Sequence, residues 1–248
     1  MRSLSRILAA LMFAGTLAAI AWAGTPWKTK PYQQWNKNDV MQVLEHSPWV
    51  QSFTVPVSWH PLPMYNSPAA AASLGGSASV DAGGGPGGGS PSLGMRPQEP
   101  HATFVARWIS AKTIREAVAR RQVLAGEIPE ARADSDVAKQ PSDYEIMVLG
   151  SDMTPFADLT PAELTKDSYL HLRSAKKELE PSSVNIYRSL NGKQVLGVTF
   201  HFARTAANGQ PMIGPSENEV DLVCRLKKTR LDFRFHPRDM AGRSGTDL

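Results

Sequence analysis

The chain has 248 residues, 42% of them hydrophobic and 20% charged, an ordinary globular composition with room for one substantial domain. Its 27 Lys and Arg against 23 Asp and Glu give a net charge of +4, or about +2 once Arg2 and Arg6 are set aside with the leader described next. So even a balance gives no argument for a nucleic-acid binder and no charge-driven reason to lie on a membrane.

Residues 1–23 have the pattern of a Sec-type signal peptide. Arg2 and Arg6 form the positive start, Ile7 to Ile20 the apolar run, and Ala21-Trp22-Ala23 the small-residue cleavage site before Gly24. The run borders on membrane-spanning length, so an uncleaved anchor is the alternative. No twin arginine precedes the cut, no cysteine follows it, and no later segment is apolar enough to span a bilayer. The expected address is periplasmic or extracellular, in a bacterial cell envelope, with no membrane span once the signal is cleaved.

Trp27 and Tyr32 follow in a polar lead-in, outside any periodic pattern. Trp35–His46 reads as a helix capped by Asn36, with Trp35, Val40, Val43 and Leu44 as its apolar stripe and Ser47-Pro48 as its stop. Ser52–Trp59 reads as a strand, and Pro56, which lacks an amide donor, makes it an edge or bulged one. Pro61 to Pro100 is an Ala, Gly, Ser and Pro tract too poor in apolar residues to offset chain entropy, hence an expected disordered insertion. Lengthening a loop costs only about 0.6 kcal/mol per doubling, so the strands on either side can remain neighbours.

Thr103–Ile109 alternates Phe104, Ala106 and Trp108 as a second strand. Ser110 is the expected cap of the longest helix, Ala111–Ala125, which Gly126 ends and which is expected to cover much of the sheet. Glu127–Ser142 reads as a mobile linker, Asp143–Leu149 as a short strand, and Thr160-Pro161-Ala162-Glu163 as a capping box opening a short helix. Leu172 to Glu180 is ambiguous. Asn191-Gly192 is a hairpin turn joining Val184–Leu190 to the strand that follows.

The stretch Lys193–His236 reads as a three-stranded meander. Leu196, Val198, Phe200 and Phe202, then Val220, Leu222, Cys224 and Leu226, then Leu231, Phe233 and Phe235 all fall on one face. At about 1.5–3 kcal/mol each, burying that face contributes roughly 15–30 kcal/mol gross, so something must cover it. Arg238–Leu248 reads as a frayed tail.

The expectation is a single α+β domain, residues 24–60 and 101–237. It has a mostly antiparallel sheet of six or seven strands, one long helix and two short ones. A disordered insertion at 61–100 and a flexible tail at 238–248 complete it.

No standard catalytic or phosphate-binding motif is present, and the glycines at 83–89 precede no helix, so no cofactor is expected. A single cysteine, Cys224, excludes an intrachain disulfide and reads as a buried hydrophobe. His60 and His101 flank the insertion and with Glu99 make two or three ligands, short of a zinc site, so no metal is assigned. His201 is expected on the polar sheet face near Asp221 and Arg225, either as a general base or as part of a charge ladder with Glu219, Arg230, Asp232 and Arg234. Asp152 and Asp158 bracket a loop after a buried strand, where holding a cation, acid–base work or plain turn formation and capping explains them. Trp27 and Tyr32 are binding candidates if exposed and core if buried. An export signal without a catalytic constellation points to a non-catalytic binding module with a protein or small-molecule partner. A secreted hydrolase with a non-standard site and a surface structural module are the alternatives.

Overall fold

In the computed structural model, which describes residues 24–57 and 100–248, the strands build two antiparallel sheets. The larger runs β1 (Val50–Pro56), β2 (His101–Trp108), β3 (Asp143–Gly150), β7 (Val195–Ala203), β6 (Ser183–Arg188) in spatial order. The smaller runs β5 (Lys177–Leu179), β4 (Ser168–Leu172), β8 (Val220–Leu226), β9 (Thr229–Phe235). A two-residue pair, β10 (Ala241–Gly242) and β11 (Gly245–Thr246), follows. The helices are α1 (Pro26–Thr29), α2 (Lys37–His46), α3 (Lys112–Leu124), α4 (Glu130–Ala138) and α5 (Pro161–Asp167). The α+β class therefore stands, but the described residues hold a five-stranded sheet, a four-stranded sheet, a two-stranded pair and five α-helices in place of one sheet and three helices.

The expected meander is split. β8 and β9 form their hairpin, whereas β7 pairs with β3 on one side and β6 on the other. Both hydrogen-bonding edges of β7 are then used, and none remains for β8. The alternation still picks out buried apolar positions, although Thr199, Asp221 and Val223 between them are buried as well. Val198, Phe200, Phe202, Val220, Leu222, Cys224, Leu226, Leu231, Phe233 and Phe235 are all buried. Leu196 is the exception at 52% exposed, because the register slips at a bulge: Tyr187 faces Gly197 while Arg188 faces Val195. The inner faces of the two sheets meet in edge-to-face ring pairs, Trp108 with Phe235 at 5.2 Å and Phe53 with Phe233 at 6.1 Å. α5, opened by the Thr160–Glu163 capping box, packs beside β6, β8 and β4.

β1 and β2 are neighbours although the expected insertion separates them. Pro56 stands opposite His101, Val55 opposite Ala102, and the Val57 amide donates to Pro100 O at 2.7 Å. β1 is an edge strand, the place its proline requires. The insertion itself lies outside the described residues apart from Pro100, and so does the expected signal peptide. Among the described residues no helix is long and apolar enough to cross a membrane.

The helices group beside the sheets. α2 has the reciprocal Asn36–Asp39 capping box, and α3 packs on α2 and α4 rather than across a sheet. Ser110 does not cap α3; it is buried and its hydroxyl accepts from the Glu145 amide at 3.1 Å. α4 occupies the segment expected to be a mobile linker. It buries Ala133 and Val137 one turn apart, joins Arg132 to Asp136 at 2.7 Å, and gives its Val137 carbonyl to Arg115 Nη1 at 2.8 Å. The expected frayed tail is likewise ordered, with Met240 fully buried and Leu248 packed against the core.

Candidate functional site

The structure does not bring the sequence candidates together. Trp27 is buried, edge-on to Trp49 at 5.9 Å. Tyr32 is buried as well, with its hydroxyl donating to the Asp134 carboxylate. His201 faces out from β7, with Nδ1 3.7 Å from Glu145 and Nε2 3.0 Å from the Asn185 amide. Its expected neighbours Asp221 and Arg225 belong to the other sheet. Asp152 is engaged in a turn, accepting from the Thr154 amide at 2.9 Å and hydroxyl at 2.6 Å, and Asp158 is exposed. His101 is exposed at the start of β2, while His60 and Glu99 lie outside the described residues. Among the described residues no three His, Cys, Asp or Glu side chains are grouped to hold a metal ion. The Cys224 thiol is buried, which pushes its pKa up to about 12 and leaves it no thiolate at neutral pH.

The smaller sheet carries an ion cluster of its own, apart from His201. Asp221, only 2% exposed, sits 2.6 Å from Arg173 and 3.1 Å from Arg234, and both arginines also reach Glu219. Nearby, the buried Glu217 carboxylate accepts from the Ser174 and Ala175 amides at 2.7 and 3.1 Å. Burial alone would raise its pKa, and these amide hydrogen bonds outweigh that and lower it.

The concave polar site lies elsewhere. A cleft of about 610 Å³ opens between the first turns of α3, the body of α4, residues 31–33 and the β10–β11 hairpin. Helical spacing sets its walls: α3 presents Lys112, Thr113 and Glu116, and α4 presents Asp134, Val137 and Ala138. Gly242 brings the hairpin against α3, where a Cβ would stand 3.0 Å from Thr113 Oγ1. Asp247 closes the site. Its carboxylate accepts from the Lys112 and Thr113 amides, each at 2.7 Å, and so satisfies two of the free donors at the start of α3.

Two groups in the cleft are electrostatically displaced. Burial raises the Glu116 carboxyl, with Lys112 3.9 Å away opposing the shift and the Asp247 charge adding to it. Burial, then the hydrogen bond to Asp134, raises the Tyr32 phenol, so it stays protonated as a donor. Lys112 and Arg243 put cations on the same lining. The lining holds no histidine or cysteine. It offers acceptors and donors of both signs, the mixture that orients a polar ligand in a concave site.

Of the residues singled out from sequence, Tyr32 alone reaches this cleft. Glu116, Asp134 and Asp247 were not marked, because no short-range pattern links residues drawn from separate helices and a terminal hairpin. No protein-family model matches the chain, and no curated protein or solved structure matches it.

Proposed function

We propose that the mature chain is an exported binding module of a bacterial cell envelope, not a catalyst, and that the cleft beside α3 receives its ligand. The observation that carries this reading is the cleft's lining, where Glu116, Asp134 and Tyr32 stand together with Lys112 and Arg243 around a space of about 610 Å³. That volume falls in the range of small-molecule sites. Mixed signs fit a small polar ligand with an ammonium or several hydroxyls for the carboxylates and an acceptor group for the cations. The export half of the reading rests on residues 1–23, with Arg2 and Arg6 before Ile7 to Ile20 and the Ala21-Trp22-Ala23 site.

Native mass spectrometry of the protein purified from an exporting host tests both halves. A chain beginning at Gly24 and carrying a small co-purified mass that Glu116→Gln sheds is the expected result. An intact leader on membrane-bound protein would overturn cleavage in favour of the anchor, and an intact leader on protein left in the cytoplasm would overturn export. A ligand retained by Glu116→Gln, or ligand-free protein after a screen of amines, amino acids and saccharides, would overturn the cleft.

The hydrolase alternative draws on one observation, the His201 imidazole between Glu145 and Asn185. It requires ester or glycoside turnover that His201→Ala abolishes.

A further inference from the structure

Along the β8–β9 hairpin the cross-strand charge pairing changes character. At one end Asp221 stands opposite Arg234 and accepts from it at 3.1 Å. At the other end Arg225 stands directly opposite Arg230, and the turn between them carries Lys227 and Lys228. All four cations are exposed. Like charges facing each other across a ladder destabilise it, so this end of the hairpin departs from the rule that its other end obeys.

Local carboxylates offset only part of the excess, two of them, Asp232 and Glu163, against four cations. Arg225 lies over the Tyr169 ring at 4.8 Å and donates to its hydroxyl at 2.9 Å, which holds the guanidinium in place without neutralising it. Arg230 donates to Asp232 at 3.0 Å. Glu163, which caps α5 through Thr160 and stays ionised, acts on Lys227 but is not ion-paired with it. The side chains of Lys227 and Lys228 make no hydrogen bond or ion pair with a described residue.

We infer that this hairpin end docks on the phosphate headgroups of an anionic lipid bilayer. The cations stand at a hairpin turn, which can reach a plane of charge, and the guanidinium held on Tyr169 presents a fixed fork of donors to a phosphate. Each basic residue brought to an anionic leaflet strengthens attachment about fivefold. The near-neutral overall charge conceals this, because balance over the chain says nothing about clustering. The inference stands apart from the cleft and from export, and either can fail without it.

Co-sedimentation with vesicles tests it, using the protein purified after export with its N-terminus verified. Neutral phosphatidylcholine vesicles are compared with vesicles that also contain phosphatidylglycerol. Binding to the anionic vesicles alone is expected, weakened by added salt and about 25-fold by Lys227→Gln with Lys228→Gln. Arg230→Gln is expected to lower affinity about fivefold without lowering the melting temperature, since it also relieves the facing arginines. Equal binding to both vesicles, or unchanged affinity in the double variant, would overturn the inference. So would attachment to soluble polyphosphate with none to vesicles.

Discussion

Trp49 donates its indole Nε1–H to the main-chain oxygen of Asp247 at 2.6 Å, across 198 positions of sequence. The same Asp247 donates its amide to Met240 O and receives the first amides of α3 on its carboxylate. One residue thus fastens the terminal hairpin to the core and closes the cleft.

Asp247→Ala removes the α3 cap and is expected to cost about 1–2 kcal/mol of stability. Hydrogen exchange checks it: the Lys112 and Thr113 amides and residues 241–248 should lose protection, while the central strands β3 and β7 keep theirs relative to global unfolding.

Glu116→Gln should stabilise the protein at neutral pH. A carboxyl raised in the folded state contributes stability below its unfolded pKa of about 4.3, and that contribution is lost as pH rises through the folded value. The neutral variant avoids the loss. Its melting temperature should exceed that of the parent at pH 7, and the gap should close below about pH 4.

Glu217→Gln should show the opposite sign. A lowered carboxyl contributes stability above about pH 4.3 that disappears as pH falls through the depressed folded value. The parent should out-melt the variant at pH 7, and the two should converge in strong acid.

Deleting Ser67–Gln98 is expected to leave the melting temperature unchanged, because the β1–β2 register holds Pro56 opposite His101 and a shorter connection still spans them. A large drop would show that the deleted residues contribute packing.

Gly150→Ala should cost about 1–3 kcal/mol through overpacking. An added Cβ would stand 2.6 Å from the ring of Phe104, which is fully buried and cannot yield. Chemical denaturation reads this directly.

Strand positions were legible in the sequence because alternation reports burial, whatever sheet a strand joins. Leu231 to Phe235 alternate as read, whereas Val220 to Leu226 bury Asp221 and Val223 along with the apolar positions, and nothing in Val198, Phe200 and Phe202 says that β7 spends both edges on β3 and β6. Local signals that act within a few residues were also legible, among them the Asn36 and Thr160 caps and the Asn191-Gly192 turn, where Gly192 takes φ +72°. α4 was not, since Ala133 and Val137 make too thin a stripe and its support comes from Arg115 on another helix. Local sequence points to the neighbouring Ser110 as the cap of α3, while the residue that performs it is 135 positions from Lys112. The cleft shares that character: Tyr32, Glu116, Asp134 and Asp247 meet only after folding.

The adjacency of Pro56 and His101 has a consequence for how the molecule holds together. The stretch carrying α2 and β1 packs on the rest of the fold through the β1–β2 ladder, the contact of α2 with α3, and the buried rings of Trp35 and Trp49. A protease cut between residues 58 and 99 should leave the two pieces associated as a nicked complex. Produced separately, the two should reconstitute the fold by fragment complementation.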